Sequence, residues 1–569
     1  MNKKYLFLGL GAVVLGIVGV AAYKFFMPGT GHLKLIPKDA SVVMTIDFKS
    51  LAKKMDYDGK LKQTTFYRDI LESQKKSKSR SDDSVAQAVS DLLQNPLSSG
   101  VNVFSDIYFF QHIDGKISYT GIVLDLNSIS NWETTLKKLK IGDGKLKKGD
   151  NYMCQPVNES MVLAWNDKGL LILYRPFSYS MFTEENPVHE RMEKIVGKYM
   201  QQTKDESILA VKEFGYMNAD KNDMSVYVNY SAFNKGNKEN REALLMNGNP
   251  FMQMLSSYTD KLDGLYTCYN LNFEDNSIVV KGQLYGDEKK LAQVQFLKDK
   301  GISDESLQYI TGSGKVLGAT SINLDMKKIM ALFTGDKDAQ QGLEDMAEIL
   351  GLKKEQLEQI FNGEITFALT DIQEVSSMEM TYDIDEATGQ FMPGFKEVKK
   401  PCPMLTLHAG IANRQYFDSF AAHTYERSLV NGRAPFPMMS GTFVQFVKQP
   451  KHFFVSNDTI MAGAMLQGKV NNYKPIPELA DEMKSNGSYM YLDLNLSHYP
   501  KVFTDFMQGS MGESAYGSVK EYMSILKDVK ALGSGNAYTF SINLQEGKGN
   551  SLYRLIEQAD RVYAKQKTR

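Results

Sequence analysis

Cysteine is scarce, with three among 569 residues. Cys154, Cys268 and Cys402 lie more than a hundred positions apart. No zinc-type ligand spacing exists, and a disulfide-dense scaffold is excluded. One long-range disulfide stays open. So does export, because an oxidising compartment permits disulfides without requiring them. An excess of charge is also lacking: 66 basic residues stand against 67 acidic ones. The chain therefore has no global field to draw in nucleic acid.

Chemical signatures are missing as well. Gly312, Ser313, Gly314 and Lys315 suggest a phosphate loop, but Tyr309 stands where the first glycine is needed and Val316 where Ser or Thr is needed. A turn before a strand is the better reading. The seven histidines, His32, His112, His189, His408, His423, His452 and His498, are scattered and form no HExxH or HxH pattern. His189 and Glu190 lack the second histidine of a zinc helix. His408 in an alternating strand could meet His423 on the following helix, although a structural histidine is the ordinary expectation. Asp383 and Asp385 open like a calcium loop, yet Ala387 and Gly389 occupy later ligand positions. No G-x-S-x-G elbow is present. The basic run Lys75, Lys76, Lys78 and Arg80 has no interleaved aromatics and reads as a solvated loop. From these residues no catalytic site, cofactor or metal is expected, with carboxylates converging from distant positions left as the alternative.

What is present begins with a long apolar run. After Lys3 and Lys4, residues Tyr5 to Tyr23 carry no charge. As a helix this run would be about 28 Å long at roughly 1.5 Å per residue, against a hydrocarbon core of about 30 Å. Its length favours a retained anchor over a cleaved signal, although Ala21 and Ala22 are small enough for cleavage. No cysteine follows the run, which disfavours a lipoprotein signal. Gly9, Ala12, Gly16 and Gly19 could form a small-residue pairing face, or reflect the glycine common in such segments. The expected address is the inner membrane with the body in the periplasm. Secretion to the periplasm after cleavage is the alternative.

Beyond a linker at 27–32, composition is that of a globular protein, 43% hydrophobic and 23% charged. The expected fold class is α+β: mixed sheets with packed helices, in two related halves at 33–310 and 311–569, after one N-terminal transmembrane helix at 1–26. The halves are built from a recurring unit in which a strand ends in Asp or Asn, then an apolar residue, then a residue able to cap a helix. It occurs at Asp47-Phe48-Lys49, Asp125-Leu126-Asn127, Asn229-Tyr230-Ser231, Asn323-Leu324-Asp325 and Asp493-Leu494-Asn495. A short side-chain oxygen there satisfies an unpaired N–H of the first helical turn. Lys49 is a poor cap, and Pro500 implies that the helix after Asn495 begins later. Further echoes pair 161–174 with 453–465, each read as two strands joined through Asn-Asp, and Tyr266-Thr267 with Tyr538-Thr539.

Two second-half segments, 383–404 and 431–441, carry Pro and Gly punctuation with unexpected Phe and Met, and read as loops. Phe391, Met392 and Phe395 in one, with Phe436, Met438 and Met439 in the other, are the candidate partner contacts, because contiguous apolar groups on surface loops are unfavourable unless covered. The partner would be another envelope protein or lipid, reached beside the membrane held by residues 5–23. Folding back onto their own domain is the alternative. Cys154 and Cys268, in apolar strand-like runs, should be buried thiols. Cys402, between two prolines, should be the most accessible.

The stretch LKLIPKDASVVMTIDFKSL from residue 33, with NPLSSGVNVFSDIYFF from residue 95, resembles domain-of-unknown-function family 4836, known from exported proteins of Bacteroidota. Ile36-Pro37-Lys38-Asp39-Ala40 is the most specific piece. The resemblance implies an envelope location and brings no established activity or catalytic residues. The expected function is a membrane-tethered envelope protein with a non-enzymatic binding or scaffold role. An envelope enzyme with a site assembled from distant carboxylates or histidines is the alternative.

Overall fold

The structure is a computed structural model. It describes residues 31–567, apart from 73–95, 176–187, 236–257, 385–390, 436–442, 470–476 and several shorter stretches. The expected membrane segment at 5–23 and the basic run at 75–80 lie outside the described residues. Among those described, no helix is long and apolar enough to cross a membrane. The chain is a mixed α+β protein whose strands pair antiparallel. It divides into two compact units. The described residues within Met1–Asn247, Leu262–Leu291 and Glu546–Arg569 form the first, and those within Gly248–Lys261 and Ala292–Gln545 the second. Residues 292–310 thus belong with the second unit, while the carboxy-terminal helix, Ser551–Lys567, returns to the first.

The first unit holds β1 (Val42–Ile46), β2 (Ile107–Asp114), β3 (Ile117–Leu124), β4 (Lys147–Lys148), β5 (Met153–Asn158), β6 (Met161–Asn166), β7 (Gly169–Tyr174), β8 (Met224–Asn229), β9 (Tyr266–Phe273) and β10 (Ser277–Tyr285). Their spatial order is β4-β5-β6-β7-β3-β2-β1-β8-β9-β10. Side chains alternate across a strand, so each face has its own core. One gathers Val43, Phe110, Val123, Leu171 and Tyr227 under Met192, Tyr199 and Phe214 of the helices Val188–Gln201 and Lys212–Ala219. The other gathers Leu163, Trp165 and Ile172 under Trp132 and Leu136 of the helix Ile129–Leu139, and the two indoles meet edge to face at 6.3 Å. Each such large side chain contributes about 1.5–3 kcal/mol on burial. β6 and β7 are buried almost throughout because both faces are covered, so they read as continuous apolar runs. Gly121 has a packing reason: a Cβ there would come within 2.1 Å of the ring of Phe110 across the strand pair.

The second unit holds β11 (Gly318–Asn323), β12 (Phe361–Ile384), β13 (Phe391–Ile411), β14 (Arg433–Pro435), β15 (Phe443–Lys448), β16 (His452–Ser456), β17 (Ser488–Asp493), β18 (Leu526–Ser534) and β19 (Ala537–Leu544). Their order is β14-β15-β16-β13-β12-β11-β17-β18-β19. Within the first unit the run β6-β7-β3-β2-β1-β8-β9-β10 follows the same chain sequence as β15-β16-β13-β12-β11-β17-β18-β19 in the second. Ile46 faces Ile107 and Met224, and Ile322 faces Ile365 and Ser488, so Asp47 and Asn323 each follow the same point of a central strand. By the same registers Asn229 and Asp493 correspond.

The capping arithmetic holds in part. Asp325 accepts from Lys328 N at 3.2 Å in the third position of its unit, and the helix after Asn495 does begin late, at Lys501 behind Pro500. Elsewhere the cap shifts. Asp47 itself caps the helix Phe48–Lys54 through Ser50 N at 2.8 Å, Asn229 accepts from Ala232 N, and Ser128 caps Ile129–Leu139. At Asp47 and Asn229 the strand-final side chain already reaches the free N–H groups where the chain turns sharply, and after Asp125 the cap falls one residue past Asn127.

Three readings are corrected. Residues 383–384 and 391–404 are not loop but the outer parts of β12 and β13, since prolines are tolerated on a strand edge. Residues 453–465 are one strand and one helix, Thr459–Leu466, because Asp458 accepts from Met461 N at 3.0 Å and starts a helix where a hairpin was expected. Tyr538 lies on β19, whose counterpart by pairing order is β10. The echo with Tyr266 on β9 is therefore a resemblance between non-corresponding strands.

Candidate functional site

The feature that most distinguishes the second unit is the length of its β12–β13 hairpin. β2 and β3 run for 8 residues each, whereas β12 and β13 run for 24 and 21. Among the described residues, other strands flank only the inner parts: β11 pairs with 364–369 of β12, and β16 with 406–410 of β13. From Asp371↔Met404 to Ile384↔Phe391 the two strands pair with each other in unbroken register. This outer ribbon spans about 45 Å at roughly 3.3 Å per residue. An isolated two-stranded hairpin is marginal in water, so its root needs support. Cys402 and Met404 are buried there against Val375, Leu405 and Val444, and the helix Lys501–Met511 lies against both strands.

Cys402 is accordingly 0% exposed, against the expectation of an accessible thiol. Its side chain points to the supported face of the root, and burial raises the thiol pKa. Cys154 and Cys268 are buried free thiols, and burial pushes both up to about 12.

The candidate contact residues separate. Phe391, Met392 and Phe395 belong to strand β13 rather than to a loop. Phe436, Met438 and Met439 lie outside the described residues. Phe395 is 67% exposed and sits directly opposite Met380, which is 56% exposed. Opposite residues in an antiparallel pair share a face, so the two make one apolar patch on the ribbon. Met380 was not singled out from sequence, because residues 372–382 carry no apolar period that would mark it.

Titratable side chains converge elsewhere in the second unit. His408 is 1% exposed and stacks on Tyr309 with ring centroids 4.2 Å apart and planes 7° from parallel. His408 Nε2 lies 3.0 Å from His452 Nδ1, and His452 Nε2 lies 3.5 Å from a carboxylate oxygen of Glu305. A carboxylate only accepts, so His452 carries its proton on Nε2 and its Nδ1 accepts from His408 Nε2–H. That leaves His408 Nδ1 as a buried lone pair with no donor among the described residues. Burial, then the neighbouring His452, lowers the His408 pKa to about 3. Burial also lowers His452, opposed by Glu305. Tyr309 donates to Gln449 Oε1 at 2.6 Å, and burial lifts its phenol to about 12. At neutral pH the group is an uncharged, tightly packed pair that resists protonation. His423, the partner considered from sequence, is exposed and donates to the Ser419 carbonyl within its own helix.

Three further polar clusters are braces between elements. Asp39 of the Ile36–Ala40 stretch accepts from His112 Nε2 at 3.2 Å, and His112 Nδ1 accepts from the buried Tyr199 hydroxyl at 2.5 Å. The hydrogen bond from His112 is the main reason the Asp39 carboxyl titrates below its ordinary value. Asp223, 1% exposed, accepts from Lys54, Ser50 and Phe273 N, tying the first helix to β9. Asp493 accepts from His498 Nδ1 at 2.7 Å and pairs with Lys315 at 3.3 Å, so the lysine of the supposed phosphate loop serves a buried carboxylate. Among the described residues, no group of three or more His, Cys, Asp or Glu is arranged to hold a metal ion.

These observations define a two-unit α+β protein with antiparallel strand pairing in each unit and a long two-stranded ribbon in the second. The chain belongs to the family described as a domain of unknown function (DUF4836), which matches residues 33–552. No curated protein and no solved structure matches it. The family match runs across both units and ends at the start of the carboxy-terminal helix.

Proposed function

We propose that this chain is a non-enzymatic binding or scaffold protein of the cell envelope. In this reading residues 5–23 tether it to the inner membrane, the folded part lies in the periplasm, and the β12–β13 ribbon contacts another envelope protein. The observation that carries the reading is the exposed Met380–Phe395 pair on a ribbon that the counterpart hairpin of the first unit lacks. Apolar groups on a marginal two-stranded element are unfavourable unless a partner covers them, and methionine adapts to varied surfaces. The common strand order supports a further reading, that the two halves are related by duplication and the ribbon is an elaboration of the second. Photo-crosslinking amino acids at Phe395 and Met380 in living cells test the contact. Capture of one recurrent protein supports it. Capture of lipid alone replaces the protein by the bilayer, and no capture from a correctly localised chain removes the ribbon as the contact.

A further inference from the structure

The ribbon has two edges, and they differ. Proline has no N–H, so Pro393, Pro401 and Pro403 must occupy positions of β13 whose N–H would point away from β12. The register pairs them with Tyr382, Glu374 and Ile372. In an antiparallel ladder the two members of such a pair both turn their backbone groups outward. Outward orientation therefore recurs at every second residue of β12: Ile372, Glu374, Ser376, Met378, Met380 and Tyr382. Two hydrogen bonds agree with this phase. Ile372 N–H donates to the side chain of Asp371 at 2.8 Å, and Leu405 N–H on the other edge donates to Asn457 Oδ1 at 2.7 Å.

The β13 edge is thus interrupted. Three of its outward donors are replaced by proline, which leaves only Phe395, Glu397 and Lys399 in one uninterrupted run, and Asn457 occupies its root, donating to the Pro403 carbonyl at 2.8 Å. The β12 edge has no proline from 372 to 384. Among the described residues, β11 follows it only as far as Leu369. Glu374, Ser376 and Met380 along it are exposed. Natural sheets blunt edges that must not pair, and proline is one of the means. Here one edge is blunted and its neighbour is left open. The open strand is also acidic: 372–384 contains Glu374, Glu379 and Asp383 and no Lys or Arg. On its inner side it already lies beside a basic strand, with Glu374 paired to Lys399 at 3.0 Å and Glu379 opposite Lys396.

The geometry points to the outer edge of β12, from Glu374 to Tyr382, as a strand-addition site for an extended basic segment of a partner protein. It rests on the reading of the ribbon as a contact element and names its mode: main-chain hydrogen bonds supply affinity, and charge with the Met380–Phe395 face supplies selection. A second copy is disfavoured, because β12 against β12 would bring like charges together.

The test uses the full chain in detergent, a short peptide of alternating lysine and valine, and the same peptide N-methylated at every second residue. N-methylation removes strand donors and keeps the charge. Hydrogen exchange should show the Ser376, Met378 and Met380 amides slowed by the first peptide and unaffected by the second. Ser376→Pro removes an outward N–H that β13 does not use, so the inward amides of Ser377 and Glu379 should stay protected while peptide affinity falls about tenfold or more, as expected for losing strand hydrogen bonds. If that variant loses the inward protection, the N-methylated peptide on the unaltered chain decides the matter. Equal binding of both peptides reduces the edge to a charged surface and overturns the proposal. So does absence of slowed exchange at millimolar peptide, or slowing that follows protein concentration without peptide, which assigns the edge to a second copy. Crosslinks from Phe395 that persist in Ser376→Pro would leave the ribbon as a contact element and sink strand addition alone.

Discussion

Acidification should loosen the second unit through one residue. His408 stays neutral in the folded chain down to a pKa of about 3, held there by burial and by His452. In the unfolded chain an imidazole titrates near 6.5. Between those values the unfolded state binds a proton that the folded state refuses. The stability His408 confers is therefore complete above about pH 6.5 and declines as pH falls toward 3. At about pH 5 the linkage relation gives a loss of roughly 2 kcal/mol, a thirtyfold rise in opening. His452 is lowered in the same direction by burial, so it acts with the same sign. Tryptophan fluorescence will not see it, because Trp132 and Trp165 both sit in the first unit. The assay is hydrogen exchange of peptides covering 406–410 and 452–456, corrected for the intrinsic pH dependence, at about pH 7.5 and pH 5. His408→Phe keeps a ring against Tyr309 and removes the titration. It should lose about 2 kcal/mol of the acid-induced difference, whatever its stability at neutral pH. Equal acid sensitivity of these strands in the variant and the unaltered chain would refute the argument.

Asp106 runs the other way. Burial, then repulsion from Asp47, lifts its carboxyl to about 6, so the strain it imposes is absent at low pH and grows as pH rises from 3.8 through 6. Asp106→Asn should stabilise the first unit at neutral pH by up to about 3 kcal/mol, read in denaturant through Trp132 and Trp165. Thiol labelling of the native protein should find Cys154, Cys268 and Cys402 all slow, becoming fast only in denaturant; rapid modification of Cys402 would contradict the packing of the ribbon root. N-terminal sequencing of native material should begin at or near Met1 and the protein should resist alkaline extraction, whereas a start near Ala22 or Tyr23 would make it a secreted periplasmic protein.

The sequence by itself determined the class, the repeated strand-to-helix junctions and the late start of the helix after Pro500. These depend on neighbours along the chain: a short polar side chain reaches an N–H two or three residues on, and proline forbids one particular bond. It also carried the family, through Ile36-Pro37-Lys38-Asp39-Ala40, a stretch whose Ile36 and Ala40 are buried and whose Asp39 braces His112. Tertiary structure alone decided what depends on register between distant strands. Proline and glycine at 393–403 spell a loop to any local rule, and become an edge strand only because β12 supplies the opposite ladder. Cys402 is hidden for the same reason. His408 meets His452 rather than His423 because β13 pairs with β16, setting Gly410 against His452 and leaving His408 one ladder step away on the same face. The imidazoles are 44 residues apart in sequence, and no periodicity along the chain encodes the contact.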